Sequence, residues 1–459
     1  MSEGIYLFGT DLRLGDNPLL QLASRECDRL ALVAVVDERW LERNCFGGRR
    51  AGQRRLRWQL AQWQALDQQL RQQGQRLQLI QGHSATVLAA LCAQRPQARW
   101  YLAQPCGVEE EQQRALVQQR AAQLTTMELS GLFDAGQLPP LAQLPLQFAP
   151  FRRLVSSLPV DYQPLPAPRL PPLLPLPERG PVWQKMADER WHRLAQHSGS
   201  ADSPLALMGE AAAGRYWQRY RHHHLHHYHL SRNALDGPGA AVSGLSPLLA
   251  VGLLSVRGLW QQLQRWGGEG AEALAAELLW REFFRWSARQ HGARLFAQEG
   301  FRQRPFQPWG QDRAAFGRWC RGETGIPFVD ANMRLLNRCG WMSNRGRQNV
   351  ASFLVHELQL DWRWGAAYFE QQLVDYDLAS NWGNWAYVAG VGADPRSPRR
   401  FNILKQAYDY DPEAAFVIAQ LPQLATLGAA AHRHGVADAA PARSLPLWQP
   451  WLAAAGHGG

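Results

Sequence analysis

The sequence predicts an α/β protein in which an N-terminal, Rossmann-like parallel sheet domain precedes a C-terminal all-helical domain. Short apolar runs alternate with helical patterns up to about residue 131, prolines then concentrate in one stretch, and strand patterns nearly vanish after it. Alternating strands and helices are typical of a parallel sheet, because each return crossover needs a helix. The chain has 459 residues, which is enough for two domains.

The predicted sheet consists of five strands with helices between them. Arg50–Gln73 and Val108–Gln123 have helical apolar spacing and a helix-forming composition. No GxGxxG motif follows the first strand, so the usual fingerprint of dinucleotide binding is absent from this sequence. The strand patterns begin at Ile5 and continue at residues 30–36, 77–82, 100–104 and 124–131.

A proline-rich stretch separates the two domains. It holds 13 prolines in the 43 residues from Pro139 to Pro181, a density that disfavours regular structure and predicts an extended surface connector. Beyond it, Ala271–Arg289 and Asn344–Leu358 show helical spacing, and 16 of the 20 tryptophans follow residue 180. We therefore predict an α/β domain over residues 1–133, a connector over 134–188, a helical domain over 189–430 and a tail over 431–459.

Composition restricts the functional classes only in part. The formal net charge of +10 favours nucleic acid as a partner about as much as it favours an arginine-rich protein without one. Six cysteines form no CxxC pair, so neither a zinc ribbon nor a disulfide scaffold is indicated. The start of the chain lacks a signal-peptide core and no segment has the apolar length of a membrane span. A soluble, cytoplasmic monomer is expected, and an organellar form stays open if a targeting segment was removed.

Four side chains of the segment Ala271–Arg289 share one helical face, namely Glu277, Trp280, Arg281 and Phe284. An indole can stack on a base, a carboxylate can accept from a base edge, and a guanidinium can contact phosphate. The alternative is an intrahelical ion pair of Glu277 and Arg281 beside a core tryptophan. Local sequence alone favours that alternative.

Two further motifs also leave alternatives open. Asn344 and Gln348 lie one turn apart with Arg345 and Arg347 between them, which suits contacts to bases and phosphates or, equally, a helix N-cap and a solvated turn. The sequence of residues 221–229 is RHHHLHHYH. Because no carboxylate or cysteine lies nearby in sequence, this run predicts a surface cluster rather than a metal site.

The stretch 375–411 is the most informative part of the sequence. Its polar and aromatic side chains occur in a segment too irregular for one plain helix, and such a mixture suits a polar, aromatic ligand. The side chains concerned are Asp375, Asp377, Asn381, Trp385 and Tyr387.

Five motifs occur in one order along the chain, namely TDLRLGDN (10–17), ELLWREFFR (277–285), SNRGRQN (343–349), DYDLASNWGNW (375–385) and KQAYDYDP (405–412). In these motifs the chain resembles the photolyase/cryptochrome flavoproteins, and within them the DASH-type cryptochromes. The resemblance extends over about residues 4–420 and implies an N-terminal antenna-type domain, a helical domain that binds FAD, and blue-light repair of cyclobutane pyrimidine dimers in single-stranded DNA. Two alternatives stay open, a blue-light photoreceptor that repairs little and a general single-strand nucleic-acid binder.

The resemblance also assigns residues to the flavin. Asn381 matches the residue opposite flavin N5, and Arg347 and Asp375 match an ion pair beside the ring. Three indoles match a chain that passes electrons to photoexcited flavin, from the innermost to the outermost Trp385, Trp362 and Trp309. The positions implied to line FAD are Tyr228, Ser243, Leu245, Ser246, Trp280, Arg281, Arg347, Asp375, Asp377 and Asn381.

The residues implied to contact DNA follow in the same way. Tyr387 stands where conventional dimer photolyases carry a second tryptophan, and Gln348 where they carry methionine; a smaller stacking partner suits a lesion that need not be flipped out of a duplex. The (6-4) photolyases use histidine near Ser343–Asn344, and this chain has none there, so (6-4) repair is not expected. The implied positions are Arg232, Glu277, Trp280, Asn344, Arg345, Gln348, Tyr387 and Gln406, and Glu277 is also assigned to catalysis.

Departures from the family pattern concern the cofactors. Pro105 falls near the usual antenna-binding glutamate and Gly9 replaces the usual arginine, which argues against a methenyltetrahydrofolate antenna while leaving it open. Val242 and Gly244 replace the threonine and the lysine or arginine usually near the FAD phosphates. The expected partner is single-stranded or damaged DNA, with RNA as a further candidate, and no metal is expected.

Overall fold

The structure, a computed structural model, describes residues 1–180, 182–186, 204–235, 242–302, 309–393 and 400–453. Parts of the predicted segments lie outside the described residues, namely 181 and 187–188 of the connector, 189–203, 236–241, 303–308 and 394–399 of the helical domain, and 454–459 of the tail. Among the described helices, none has the length and apolarity that a bilayer span requires.

Five parallel strands form most of a seven-stranded sheet with the order β5-β4-β1-β2-β3-β7-β6. All five predicted strands are confirmed, although the last ends at Met127 and not at residue 131. β6 and β7 pair antiparallel at the β3 edge and were not predicted. The strands are β1 Glu3–Leu7, β2 Arg29–Asp37, β3 Leu77–Gly82, β4 Arg99–Ala103, β5 Gln123–Met127, β6 Arg179–Gly180 and β7 Trp183–Lys185.

The parallel strands β1 to β4 are buried on both faces, which explains their near-continuous apolar sequences, whereas the edge strand β5 has no buried residue. Leu30, Ala31, Leu32 and Val33 of β2 are fully buried although successive side chains point to opposite faces. Two-sided burial is what crossover helices on both faces produce, so the apolar runs were a reliable signal for this part of the fold.

The proline-rich connector is more ordered than the sequence predicted. Residues Phe148–Val155 form a helix, with Pro150 in its first turn, where a missing backbone N–H costs little. Leu174 is fully buried in the core of the sheet domain. The side chain of Gln78 donates to the Leu174 carbonyl at 2.9 Å and accepts from the Leu176 N–H at 2.8 Å. Leucines between the prolines thus give the predicted connector an apolar side that packs on the sheet domain, and Phe148–Val155 is a helix that the proline density did not predict.

Helices dominate the chain after the connector, as predicted. The predicted helix Ala271–Arg289 extends over Glu269–His291 and is called the long helix below. The predicted helix Asn344–Leu358 ends as an α-helix at Ser352 and continues as a wider π-helical turn over Phe353–Glu357.

The α-helices before the connector are Pro18–Glu26, Gln53–Arg71, Ser84–Gln94 and Val108–Arg120. Those after it, besides the two above, are Gly209–His223, Tyr228–Ser231, Ser246–Ala250, Val256–Trp266, Arg313–Arg321, Pro327–Cys339, Trp362–Gln372, Leu378–Val388, Ile403–Tyr410, Ala415–Gln420, Val436–Ala439 and Leu445–Ala453.

The chain forms two compact units, each built from segments that are distant in sequence. The first unit comprises Met1–His229, Gly244–Gly292 and Val374–Ala379. The second comprises Leu230–Ser243, Ala293–Leu373 and Ser380–Gly459. The predicted domain limits at residues 133, 188 and 430 stay predictions.

Candidate functional site

Two aspartates are held in place within the first unit. Asp375 is 4% exposed, and its Oδ2 accepts a hydrogen bond from the Ser246 hydroxyl at 2.6 Å. Asp377 forms an ion pair with Arg281 of the long helix, at 3.7 Å between Oδ2 and Nη2. The first unit therefore brings together four residues that the sequence implied to line the flavin.

Arg281 is oriented by backbone carbonyls as well as by Asp377. Its Nη1 donates to the Ser130 carbonyl at 2.5 Å and its Nη2 to the Leu249 carbonyl at 3.5 Å. Burial lowers the pKa of Arg281, and the Asp377 carboxylate opposes that shift. Arg281, which the local sequence assigned to an intrahelical ion pair, thus bonds to residues that are distant from it along the chain.

A buried ionic cluster connects the long helix to the loop after β5, and no sequence motif predicted it. Glu128 pairs with Arg285 at 3.1 Å and also with Arg289. Burial alone would raise the pKa of Glu128, but the two guanidiniums and the Ser130 N–H lower it to about 2. The Glu282 carboxylate accepts from the backbone N–H groups of Leu132 and Phe133, at 2.8 and 3.2 Å.

The aromatic face of Trp280 is stacked on a ring of its own chain. Its ring centroid lies 3.7 Å from that of Phe148 with an angle of 11° between the planes, and 5.7 Å from that of Phe284. Phe148 comes from the unpredicted connector helix, so sequence analysis could not place it. Trp280 and Glu277 are both half-buried, and their assignment to DNA stays a prediction.

Asn381 lies in the second unit and is 9% exposed. Its Nδ2 donates to the Ala366 carbonyl at 3.0 Å. This bond fixes the orientation of the amide plane, so that the Oδ1 is directed away from that carbonyl. The position of Asn381 opposite flavin N5 stays a prediction.

Trp385, the predicted innermost electron donor, is 3% exposed and packs in an aromatic cluster. Its ring centroid lies 5.1 Å from Phe369 and 6.1 Å from Trp319. Gly365 makes room for it, because a Cβ at residue 365 would lie 2.2 Å from the Trp385 Cη2 atom.

Replacing Gly365 by alanine is expected to lower the free energy of unfolding by about 1–3 kcal/mol, because Trp385 is buried and has little room to shift. Gly214 is the matched control, since a Cβ there would meet no described heavy atom within 4 Å. Gly214→Ala is expected to raise the free energy of unfolding by about 0.5–1 kcal/mol through helix propensity. Urea unfolding measures both changes, and equal stability of the two variants would contradict this packing.

The two outer tryptophans of the predicted chain flank one backbone bridge. Gly310 donates its N–H to the Gln359 carbonyl at 2.7 Å and pairs with Leu360. Trp309 precedes this bridge and is half-buried, whereas Trp362 follows it and is fully buried. The electron-transfer roles of these indoles stay predictions.

Arg345 connects residues predicted to contact DNA. Its guanidinium donates to the side-chain oxygens of Gln406 at 3.3 Å and Asn233 at 3.1 Å, and lies over the Tyr410 ring at 4.4 Å. Sequence analysis missed Asn233 because its partner lies 112 residues away. These contacts hold the Arg345 guanidinium in one position in the second unit.

The helix that begins at Asn344 is capped by the residue before it. The Ser343 hydroxyl accepts from the Gly346 N–H at 3.1 Å, so the suggestion that Asn344 is the N-cap was wrong by one residue. Asn344 is the first residue of the helix and is exposed, and Gln348 is half-buried. Serine and asparagine cap helices about equally well, so sequence alone does not separate them.

The remaining predicted residues are placed as follows. Arg347 donates from its Nε to the Met342 carbonyl at 2.8 Å, and its predicted pairing with Asp375 stays a prediction. Tyr228 and Leu245 are buried, Ser243 and Tyr387 are half-buried, and Arg232 is exposed.

The histidine run is mostly exposed, as predicted. His222, His223, His226 and His227 are exposed, and His229 lies 3.1 Å from Glu269. Within the described parts of the chain, no group of three or more histidine, cysteine, aspartate or glutamate side chains is arranged to hold a metal ion.

The backbone around Pro105 is bonded to the long helix. Arg289 donates to the Pro105 carbonyl at 2.9 Å, and Arg285 lies 3.6 Å from the Cys106 sulfur. Pro105 and Cys106, near the position of the usual antenna glutamate, therefore contact two arginines of the ionic cluster in the first unit.

Comparison with known proteins decides the family. A family model described as DNA photolyase matches residues 4–171, and one described as FAD binding domain of DNA photolyase matches residues 274–451. Cryptochrome DASH of Natronomonas pharaonis is 38% identical over 94% of this chain and 92% of its own length. This chain belongs to the DASH cryptochromes. Cryptochrome DASH of Xenopus laevis is 34% identical, over 92% of this chain and 82% of that protein.

Solved structures agree with a cryptochrome DASH fold. The crystal structure of Synechocystis cryptochrome superposes with a TM-score of 0.86 at 32% identity, covering 98% of this chain and 94% of that one. An archaeal photolyase from Sulfolobus tokodaii, solved with two FAD molecules, superposes with a TM-score of 0.76 at 27% identity, covering 94% and 92%. The parallel-sheet domain followed by a helical FAD-binding domain is thereby confirmed.

As a DASH cryptochrome, the protein is a flavoprotein, and its residues fit FAD in chemistry. Asp375 offers a buried carboxylate bonded to the Ser246 hydroxyl, Arg281 offers a cation, and Asn381 offers an oriented amide. The FAD-binding family model begins at residue 274, so four of the predicted lining residues lie before the match, namely Tyr228, Ser243, Leu245 and Ser246.

Proposed function

We propose that this DASH cryptochrome is a blue-light-driven lyase that splits cyclobutane pyrimidine dimers in single-stranded DNA. The observation that carries the proposal is Asn381, a buried amide fixed by the Ala366 carbonyl at the position that resemblance assigns to flavin N5. A fixed amide favours one hydrogen-bonded state of the flavin over others, because its dipole cannot reorient. When bound, FAD supplies the absorption of blue light and the electron that splits the dimer.

On the first unit, Ser246, Asp375, Arg281 and Asp377 are proposed to hold the flavin. Asp375 is fixed by Ser246 and Asp377 by Arg281, so their carboxylates need little reorganisation when a ligand arrives. Rigid holding matters for a photochemical step, because the electron must leave before the absorbed energy is lost.

On the second unit, Trp385, Trp362 and Trp309 are proposed to supply electrons that return the flavin to its reduced state. Indoles are among the side chains that are easiest to oxidise. The support is that Trp385 and Trp362 are buried whereas Trp309 is half-buried, an order consistent with passage from the interior toward solvent.

DNA is proposed to bind through phosphate contacts and stacking. Arg345, fixed by Gln406, is proposed to contact the backbone. The dimer itself is proposed to lie against five side chains that include a carboxylate, two amides and two aromatic rings. These are Glu277, Trp280, Asn344, Gln348 and Tyr387.

The proposal extends to a cytoplasmic monomer. Its six cysteines are all free thiols, as is usual in a reducing compartment. The excess of positive charge fits a nucleic-acid partner, and RNA strands are included as possible competitors for the same surface.

Light-dependent repair tests the proposal. Photoreduced protein is mixed with dimer-containing oligo(dT), and restored thymine is measured under blue light and in darkness. Repair in light only is expected, and no light-dependent repair would overturn the proposal.

Glu277→Gln is expected to slow that repair about tenfold to a hundredfold, because it removes one charge-assisted hydrogen bond to the substrate. Glu272→Gln, an exposed position on the same helix, is the matched control and is expected to repair at the rate of the unchanged protein. Equal rates for both variants would remove Glu277 from the catalytic assignment.

A further inference from the structure

Trp382 is a buried indole that sequence analysis left without a role. It follows Asn381 directly and is 5% exposed. Its ring centroid lies 5.8 Å from that of Trp362 with an angle of 77° between the planes. The two indoles are therefore in contact, which permits fast electron transfer between them.

A buried carboxylate lies at the N–H group of this indole. The Glu370 Oε2 accepts a hydrogen bond from the Trp382 Nε1 at 3.2 Å, and Glu370 is 6% exposed. An indole N–H can only donate, so the carboxylate is the acceptor. Glu370 lies on the helix Trp362–Gln372, which also carries Trp362.

The indole of Trp362 has a different partner. Its Nε1 donates to the backbone carbonyl of Gln298 at 3.2 Å. A neutral backbone carbonyl is a very poor proton acceptor, whereas a carboxylate forms a stable O–H bond. In a buried site a carboxylate also stabilises a neighbouring positive charge far more than it does in water. Oxidation should therefore cost less at Trp382 than at Trp362.

We propose that Trp382 is a further electron donor that branches from Trp362 and that Glu370 receives its proton. One electron passes from Trp382 to the Trp362 cation radical, which returns to a closed-shell indole. The N–H bond of Trp382 breaks, and the proton forms an O–H bond with Glu370. A neutral Trp382 radical and a protonated Glu370 remain, and the only oxidant needed is the Trp362 cation radical.

The inference rests on the proposed function, because light-driven oxidation of the tryptophan chain must produce that cation radical. The consequence of proton transfer to Glu370 is a long-lived charge separation. Recombination must bring an electron back to the neutral Trp382 radical, and re-forming the indole also requires the proton to return from Glu370, so charge recombination is slowed. Trp382 thereby favours the reduced flavin that repair requires.

Time-resolved absorption and electron paramagnetic resonance of the flavin-loaded protein test the inference, because cation and neutral tryptophan radicals differ in both signals. The unchanged protein is expected to form a long-lived neutral radical. The variants are made in a Trp309→Phe background, so that the outer indole cannot hold a radical of its own. There Glu370→Gln keeps a hydrogen-bond acceptor but cannot take the proton, so the neutral radical is lost and recombination becomes at least about tenfold faster. Trp382→Phe is expected to give the same fast recombination.

Two controls separate the possible failures. Trp448→Phe removes a fully buried indole elsewhere in the second unit and is expected to leave the radical lifetime unchanged. Trp385→Phe is expected to abolish radical formation, and radicals persisting in that variant would overturn the proposed electron chain itself. If Trp385→Phe acts as expected but Glu370→Gln and Trp382→Phe leave the radical unchanged, the branch through Trp382 is wrong.

Discussion

Replacing Glu128 by glutamine is expected to lower the free energy of unfolding by about 3–5 kcal/mol, the cost of breaking a buried ion pair. Glu128, Arg285 and Arg289 are 5%, 5% and 11% exposed. The substitution leaves both guanidiniums buried without their counter-ion. Because the loop after β5 is attached through this cluster, the loss is expected to be global and to appear as a lower urea midpoint.

The same carboxylate predicts how the stability depends on pH. Its pKa is about 2 in the folded protein against an ordinary value of 4.5, because the two arginines outweigh burial. A depressed pKa contributes stability that is fully present above pH 4.5 and is lost as the pH falls toward 2. The difference in stability between the unchanged protein and Glu128→Gln should therefore shrink over that range.

Glu111→Gln is the matched control for this substitution. Glu111 pairs with Arg114 at 2.7 Å, but it is 46% exposed and the pair lies one helical turn apart. Such pairs contribute about 0–1 kcal/mol. A loss at Glu128 as small as that at Glu111 would contradict a tightly coupled buried cluster.

The parallel strands and the long helix were predictable because their signals are local. Two-sided burial gives a strand like β2 a continuous apolar sequence, and a helix like Glu269–His291 repeats its apolar residues at helical spacing. The short strands β6 and β7 were not predicted, because elements of two and three residues at the end of the proline-rich stretch show no periodicity.

Residues of the candidate site were predictable only where they belong to a recognisable sequence motif. Asn381 and Asp375 were found through resemblance, and their buried environments agree with that assignment. Glu128 was missed because its arginine partners lie 157 and 161 residues away along the chain. Phe148 was missed for the same reason, since its contact with Trp280 depends on where the connector helix lies.

A preference for single strands is the second large effect expected of this protein. Taking a dimer out of a duplex costs a few kcal/mol of pairing and stacking, a cost that a single strand largely avoids. Stacking on an aromatic side chain is worth about 1–3 kcal/mol per base, and the smaller ring of Tyr387 should provide less of it than tryptophan. Repair of a duplex should therefore be at least about tenfold slower, since about 1.4 kcal/mol corresponds to a factor of ten.

Tyr387→Trp should narrow that difference by improving the grip on a flipped dimer. Tyr368→Trp is a control for the change in residue type, since Tyr368 belongs to another helix, Trp362–Gln372, and its hydroxyl bonds to Asn337 at 2.6 Å. It is expected to leave the ratio of single-strand to duplex repair unchanged. A ratio that Tyr387→Trp does not alter would argue against stacking on residue 387.

The most direct measurement compares one dimer in two contexts. A single oligonucleotide with one defined thymine dimer is repaired by reduced protein under blue light, either alone or annealed to its complement, and the initial rates are compared. We predict light-dependent repair of the single strand that is at least about tenfold faster than repair of the duplex. Equal rates, faster repair of the duplex, or no light-dependent repair of either substrate would contradict a single-strand-preferring lyase.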